Sequence, residues 1–182
     1  CDSSKPFCKQ VAYLESTGTQ YIDTDAYVTP NTVIFVEAQA SQEQMNYTLL
    51  GADVELAHSI HVHFSSITGK VVIRMAEALG DSGISTQKFS AILDVKNRKA
   101  SVNGRTLFSN LGTNSIVSNL SIALFCRNEY SVYRLCSKAK IYNYKMSDNG
   151  TAVRDFVAVI DKNGVAGVYD KVTKRMFYNA GS

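Results

Sequence analysis

All three histidines of the chain fall in one six-residue run, His58-Ser59-Ile60-His61-Val62-His63. Side chains alternate between the two faces of a strand, so His61 and His63 project from the same side. Two neutral imidazoles at this spacing can share a zinc-type ion if His58, Asp53, Glu55 or a neighbouring strand adds further ligands. The same pattern describes a solvated sheet face opposite Ile60, Val62 and Phe64, and that reading is preferred, with no metal assigned. The segment Asp161-Lys162-Asn163-Gly164 suggests a calcium loop. Its glycine comes fourth rather than sixth, and Asp170 comes tenth where a twelfth-position glutamate is needed, so a hairpin turn explains it better.

Sugar hydrolysis needs two carboxylates about 5–10 Å apart, one to donate a proton and one to attack or to activate water. The nearest pattern is Asp53-Val54-Glu55, with two acids and no third, while Asp94 stands alone in Ile92-Leu93-Asp94-Val95. These read as surface or turn-edge carboxylates. The chain has no Ser-His-Asp order, Gly-rich phosphate loop or Cys-x-x-Cys pair. The expectation is a protein that is not an enzyme.

Sugar recognition without hydrolysis uses aromatic platforms beside hydrogen-bonding groups. Tryptophan, the strongest platform, is absent, and 10 tyrosines are the substitutes. Tyr142 and Tyr144 are expected on one strand face, with the alternative that one of them fills the core. Tyr130 and Tyr133 lie on or near a turn. Arg74, Arg127, His61 and His63 are polar candidates on outward faces. These eight residues form the candidate ligand set.

Four cysteines allow three connectivities. The preferred one joins Cys1 to Cys8 around Pro6, and Cys126 to Cys136 between two strand-like runs, Leu120–Arg127 and Arg134–Met146. The alternative is four free thiols in a reducing compartment. A first residue of cysteine followed by Asp2-Ser3-Ser4-Lys5 reads as the mature start of a bacterial lipoprotein or secreted chain, or else as a cut in a longer one. On the first reading the protein is extracytoplasmic, at the cell surface, and meets a membrane only through a lipid on Cys1.

The elements that must carry these residues are strands. Ile60, Val62 and Phe64 alternate with polar residues, as do Val71, Ile73 and Met75, and Phe89, Ala91, Leu93 and Val95. Turn clusters separate such runs, among them Asn97-Arg98, Asn103-Gly104, Asp148-Asn149-Gly150 and Asn163-Gly164. No segment reads as a long helix. A length of 182 residues fits one domain, and a net charge of +3 is too small for a nucleic-acid footprint. The apolar run Phe156–Ile160 is far shorter than the ~20 residues of a membrane helix. The pattern gives one all-β antiparallel domain over residues 11–182, a sandwich or barrel, behind a leader or tether at residues 1–10.

Both ends of that domain resemble a known group. The opening Tyr13-Leu14-Glu15-Ser16-Thr17-Gly18-Thr19-Gln20-Tyr21-Ile22-Asp23-Thr24 is similar to the entry strands of bacterial and phage-borne concanavalin A-like, laminin-G-like jelly-roll domains. So are Ile141-Tyr142-Asn143-Tyr144-Lys145, Val153-Arg154-Asp155-Phe156-Val157, Asn163 to Lys171, and Phe177-Tyr178-Asn179-Ala180-Gly181. Asp25 and Lys174 stand where the group commonly has glycine, and Ala158 where it has proline. The resemblance implies a two-sheet jelly roll with its terminal strands close together. It also implies an extracellular setting, frequent carbohydrate binding, and calcium sometimes held at a sandwich rim, for which no ligands map onto this chain. Hydrolases of the fold alternate Glu-x-Asp-x-x-Glu on one strand, which Asp53-Val54-Glu55 does not complete. The resulting expectation is a non-catalytic extracellular module that binds glycan. The alternatives are an adhesive or structural protein-binding module of an envelope or phage particle, and a glycoside hydrolase using Asp53 or Glu55.

Overall fold

A computed structural model of the chain describes residues 1–109 and 116–181. In chain order its strands are β1 (Phe7–Gln10), β2 (Leu14–Thr17), β3 (Ile22–Tyr27), β4 (Thr32–Ala40), β5 (Thr48–Asp53) and β6 (Ile60–Phe64). Then come β7 (Val71–Met75), β8 (Ala78–Asp81), β9 (Phe89–Asp94), β10 (Lys99–Val102), β11 (Arg105–Phe108) and β12 (Ser121–Leu124). The last are β13 (Arg127–Glu129), β14 (Val132–Arg134), β15 (Lys138–Asp148), β16 (Thr151–Asp161), β17 (Ala166–Asp170) and β18 (Met176–Tyr178). A short 3-10 turn covers Leu56–His58.

The strands form two sheets packed as a jelly-roll sandwich. The larger runs β11-β10-β9-β4-β15-β16-β17-β18, with β2 on β15 and β1 on β16. The smaller runs β14-β13-β5-β6-β7-β8, and β12 joins β3 to β5. Residues 7–10, within the segment read as a leader, form β1 and pair with the far end of β16.

Period-two patterning places the core. Along β4, Ile34, Val36, Ala38 and Ala40 are buried while Val33, Phe35, Glu37 and Gln39 face outward and are only partly covered. Ile60, Val62 and Phe64 of β6, Ile73 and Met75 of β7, and Ala91 and Leu93 of β9 meet them from both sheets. Burying large side chains of this kind contributes roughly 1.5–3 kcal/mol each. The turns read from sequence are tight left-handed ones: Asn103 and Gly104 have φ of 49° and 77°, Asn149 and Gly150 of 47° and 81°. Asp25 and Lys174, the two departures from glycine, do adopt left-handed φ of 50° and 61°.

Cys1 bonds to Cys8 and Cys126 to Cys136, leaving no free cysteine. The sulfur of Cys1 serves either this bond or a thioether-linked lipid, not both. Cys126 and Cys136 do not sit within long strands, as the sequence suggested. The chain breaks at Phe125 and Leu135, each with a left-handed φ, and the disulfide closes the base of a small hairpin, β13–β14.

One buried cation ties the sheets together. Arg154 on β16 is only 7% exposed, and donates from Nε to the Thr24 carbonyl of β3 at 2.7 Å and from Nη2 to the Asp25 carbonyl. Its Nε also lies 3.8 Å from the fully buried carboxylate of Asp170 on β17. That carboxylate accepts from the backbone N–H groups of Asp155 and Val172 and from the Thr173 hydroxyl. Removing the guanidinium strands a buried charge and two carbonyls. Arg154→Ala should therefore destabilise the sandwich by about 3–5 kcal/mol in urea unfolding, and a loss below about 1 kcal/mol would rule out this role.

Candidate functional site

The outward face of the smaller sheet is not simply solvated. His61 is 3% exposed although it alternates with the core residues Ile60 and Val62, and β13, its turn and the start of the 3-10 turn stand with it around one cavity. The result is a cavity of about 450 Å³ lined by His61 and His63 of β6, Arg74 of β7, Asp53 of β5, Arg127 and Glu129 of β13, Glu55, Ser59 and Tyr130. His61 stands opposite Arg74 in the β6–β7 ladder. On its other side is Gly51, where a β-carbon would come within 2.3 Å of that of His61, so only glycine lets the imidazole lie flat on the floor.

Arg127 is doubly clamped. Its Nη1 lies 3.1 Å from Asp53 and its Nη2 3.1 Å from Glu129. The parallel pairing of β13 with β5 brings Glu129 alongside Asp53 and makes this possible. Arg74 is different. Its Nη1 makes a long bond of 3.4 Å to the Ala76 carbonyl, and it has no ion pair among the described residues. Two further polar atoms on the lining, His63 Nδ1 and Arg127 Nε, are buried without a hydrogen-bond partner. Buried polar groups are normally satisfied, so these two atoms mark an incompletely bonded network beneath the cavity surface.

The imidazoles are held neutral. Burial, reinforced by Arg74 and then Arg127, lowers His63 to about 4. Burial first, then His63, Arg127 and Arg74, holds His61 well below the usual histidine range. The rings meet edge to face with centroids 4.6 Å apart, and Ser59 Oγ lies 3.3 Å from His61 Nδ1. At neutral pH the floor thus holds uncharged imidazoles beside a guanidinium with no ion pair among the described residues, while Glu55 Oε1 lies 3.5 Å from His58 Nε2 at the rim.

Five of the eight residues read from sequence meet in this cavity: His61, His63, Arg74, Arg127 and Tyr130. Three do not. Tyr144 is 0% exposed and belongs to the core against Phe156, because a bulge between Ile141 and Asn143 breaks the alternation that would have kept it with Tyr142. Tyr142 lies outward on the larger sheet, away from the cavity. Its ring is already covered by Lys88 Nζ at 4.0 Å and met by Tyr13, so it offers no open platform. Tyr133 is paired with Asn128 and shares its face, opposite to that of Arg127. It stacks on Tyr21 at 3.9 Å and donates its hydroxyl to Asp23 at 2.6 Å.

Asp53 and Glu55, read from sequence as ordinary surface acids, line the cavity. Glu129 was missed, although its two-residue spacing from Arg127 would have put it on the same face. Asp161 holds a turn: its carboxylate accepts from the N–H groups of Asn163 and Val165 and from the Tyr178 hydroxyl.

No protein-family model and no curated protein sequence matches the chain. Solved structures are similar. The Ruminococcus gnavus IT-sialidase CBM40 superposes with a TM-score of 0.56 at 12% identity, covering 76% of this chain and 90% of that one. The same R. gnavus module bound to α2,3-sialyllactose gives 0.50 at 12% identity, over 74% and 90%. At this identity the likeness shows a shared β-sandwich fold.

The neutral histidines set a pH dependence. An unfolded chain protonates His63 near 6.5 and the folded one near 4, so between these values the unfolded state binds more protons. Stability should be undiminished by this group above pH 6.5 and fall as pH drops toward 4. His63→Gln should flatten part of that slope in urea unfolding at stepped pH, whereas an unchanged slope would contradict a buried neutral imidazole.

Proposed function

We propose that this chain is a carbohydrate-binding module that holds a glycan in the cavity over His61 and Arg74, with Arg74 receiving an acidic group of the sugar. The observation carrying this reading is the Arg74 guanidinium, which lines the cavity with no ion pair among the described residues, beside two neutral imidazoles and the carboxylates of Asp53 and Glu129. A guanidinium with open donors suits a planar carboxylate, and neutral imidazoles with free acceptor sites on Asp53 and Glu129 suit hydroxyls. The fold likeness to sialidase carbohydrate-binding modules, one bound to α2,3-sialyllactose, supports the same class.

The module is non-catalytic on this reading. A glycosidase needs one carboxyl to carry a proton while its partner faces the anomeric carbon. Here one guanidinium lies between Asp53 and Glu129 and pairs with both. Two disulfides agree with an extracellular setting. Kinship with concanavalin A-like, laminin-G-like domains is part of the same proposal, on the residue patterns at the two ends.

A glycan array that includes α2,3-sialyllactose and lactose tests it. Acidic glycans should be retained over their uncharged counterparts, and Arg74→Ala should weaken binding about ten- to a hundredfold with unchanged melting. Tyr142→Ala should leave binding intact. Silence across host, bacterial and plant glycans, or an Arg74→Ala variant that binds like wild type, would overturn the reading.

A further inference from the structure

The wall of the cavity is a short hairpin whose turn and base hold unfavourable backbone conformations. β13 and β14 are three residues each, and a two-stranded ribbon of that size is marginal alone. Its turn is Tyr130-Ser131, both left-handed with φ of 50° and 65°, without the glycine or asparagine such a turn favours. Its base is worse: Phe125 and Leu135, bulky residues directly before Cys126 and Cys136, have φ of 68° and 54°. Its ladder to the rest of the sheet is short, Asn128 and Glu129 alongside Ala52 and Asp53 with one bridge from Cys136 to Thr48. Anchors beyond the ladder are the Thr48 N–H on the Leu135 carbonyl, the Ser137 N–H on the Phe125 carbonyl, Asn128 on Ser121 and Tyr133 against Tyr21 and Asp23. The hairpin nevertheless supplies Arg127, Glu129 and Tyr130 to the cavity.

We propose that the Cys126–Cys136 disulfide is a positioning element of this site, holding the base of the hairpin against its backbone preferences so that the cavity takes its closed shape in the oxidised protein. The bond closes a separation of ten residues that contains the whole hairpin, and it links the two left-handed kinks directly. Without it, relaxation at Phe125 and Leu135 swings Arg127 away from Asp53. The floor, made by β6 and β7, is carried by the core and stays. The inference rests on the glycan-binding reading for its functional consequence, but not for its structural one.

The test compares wild type with a Cys126→Ser/Cys136→Ser variant by amide hydrogen exchange, NMR titration of His63 and binding to α2,3-sialyllactose. The variant should melt cooperatively and keep protection in β6, β7 and β9, while residues 127–134 lose theirs. The His63 titration should move upward, because Arg127 no longer faces the ring and water enters. Affinity should fall about tenfold or more. Unchanged exchange and titration would overturn the proposal. If wild type binds no glycan while exchange and titration move as stated, the positioning role stands and the glycan reading falls. Should the variant fail to fold, a Cys1→Ser/Cys8→Ser protein is treated with a water-soluble phosphine. The phosphine takes up oxygen from water as the disulfide gains two electrons and two protons to give two thiols. Global unfolding there as well would overturn the proposal by assigning the bond to the whole sandwich.

Discussion

One edge of β5 serves two partners. β12 runs antiparallel past Leu50 and Gly51, and β13 runs parallel past Ala52 and Asp53. A chain that uses both halves of one edge in opposite directions must reverse between them, and Phe125 and Cys126 are where it does. Phe125 makes this reversal in the left-handed region, with φ of 68°. The reversal also decides what faces the cavity. With Asn128 turned inward to donate to the Ser121 carbonyl at 3.0 Å, Arg127 and Glu129 have to turn outward. The site is therefore a consequence of strand sharing, not of a loop added to a finished sandwich.

Placing two guanidinium groups, two imidazoles and three carboxylates around one cavity poses an electrostatic problem. The structure resolves it by unequal treatment. Arg127 is neutralised by Asp53 and Glu129, both at 3.1 Å, and the two histidines shed their protons. Glu55 is turned to His58 at the exposed rim. Arg74 is left as the cation without a counterion among the described residues, at a position where burial strengthens any anion it meets. Coulomb repulsion from Arg74 and Arg127 helps hold the imidazoles neutral, and neutral imidazoles in turn leave Arg74 with less positive charge beside it.

Much of this is legible in the sequence. Period-two runs such as Ile60-Val62-Phe64 gave the core faces because alternation is a local property of a strand. Asn103-Gly104 and Asn149-Gly150 gave turns because their φ preferences are local too. His61, His63, Arg74 and Arg127 were readable as outward residues for the same reason. What failed was non-local. The bulge at Ile141–Asn143 depends on pairing with β4 and sends Tyr144 into the core. The face of Tyr133 depends on its partner Asn128 across the hairpin. The meeting of Asp53 with Arg127 and Glu129 depends on a parallel register to which no sequence spacing points. Short strands near a disulfide are where local patterns say least, since a covalent bond can hold a backbone that propensity would reject.

The absence of tryptophan takes on a different meaning in this setting. An aromatic platform gives affinity through area, with little demand on direction. This cavity has one aromatic near it, Tyr130 on the turn, and that side chain is 66% exposed. Its lining otherwise relies on hydrogen bonds and one free charge, whose net contributions are small and steeply dependent on geometry. On the glycan-binding reading, a site built this way discriminates by position and charge more than by contact area. It gains only if its polar groups are fixed before the ligand arrives, since ordering them at the moment of binding would consume the advantage. Gly51 beneath His61 and the double clamp on Arg127 are means of fixing them, and the role proposed for the disulfide at the base of the hairpin is the same. The rigidity of the wall and the polar character of the site are thus one design requirement seen from two sides.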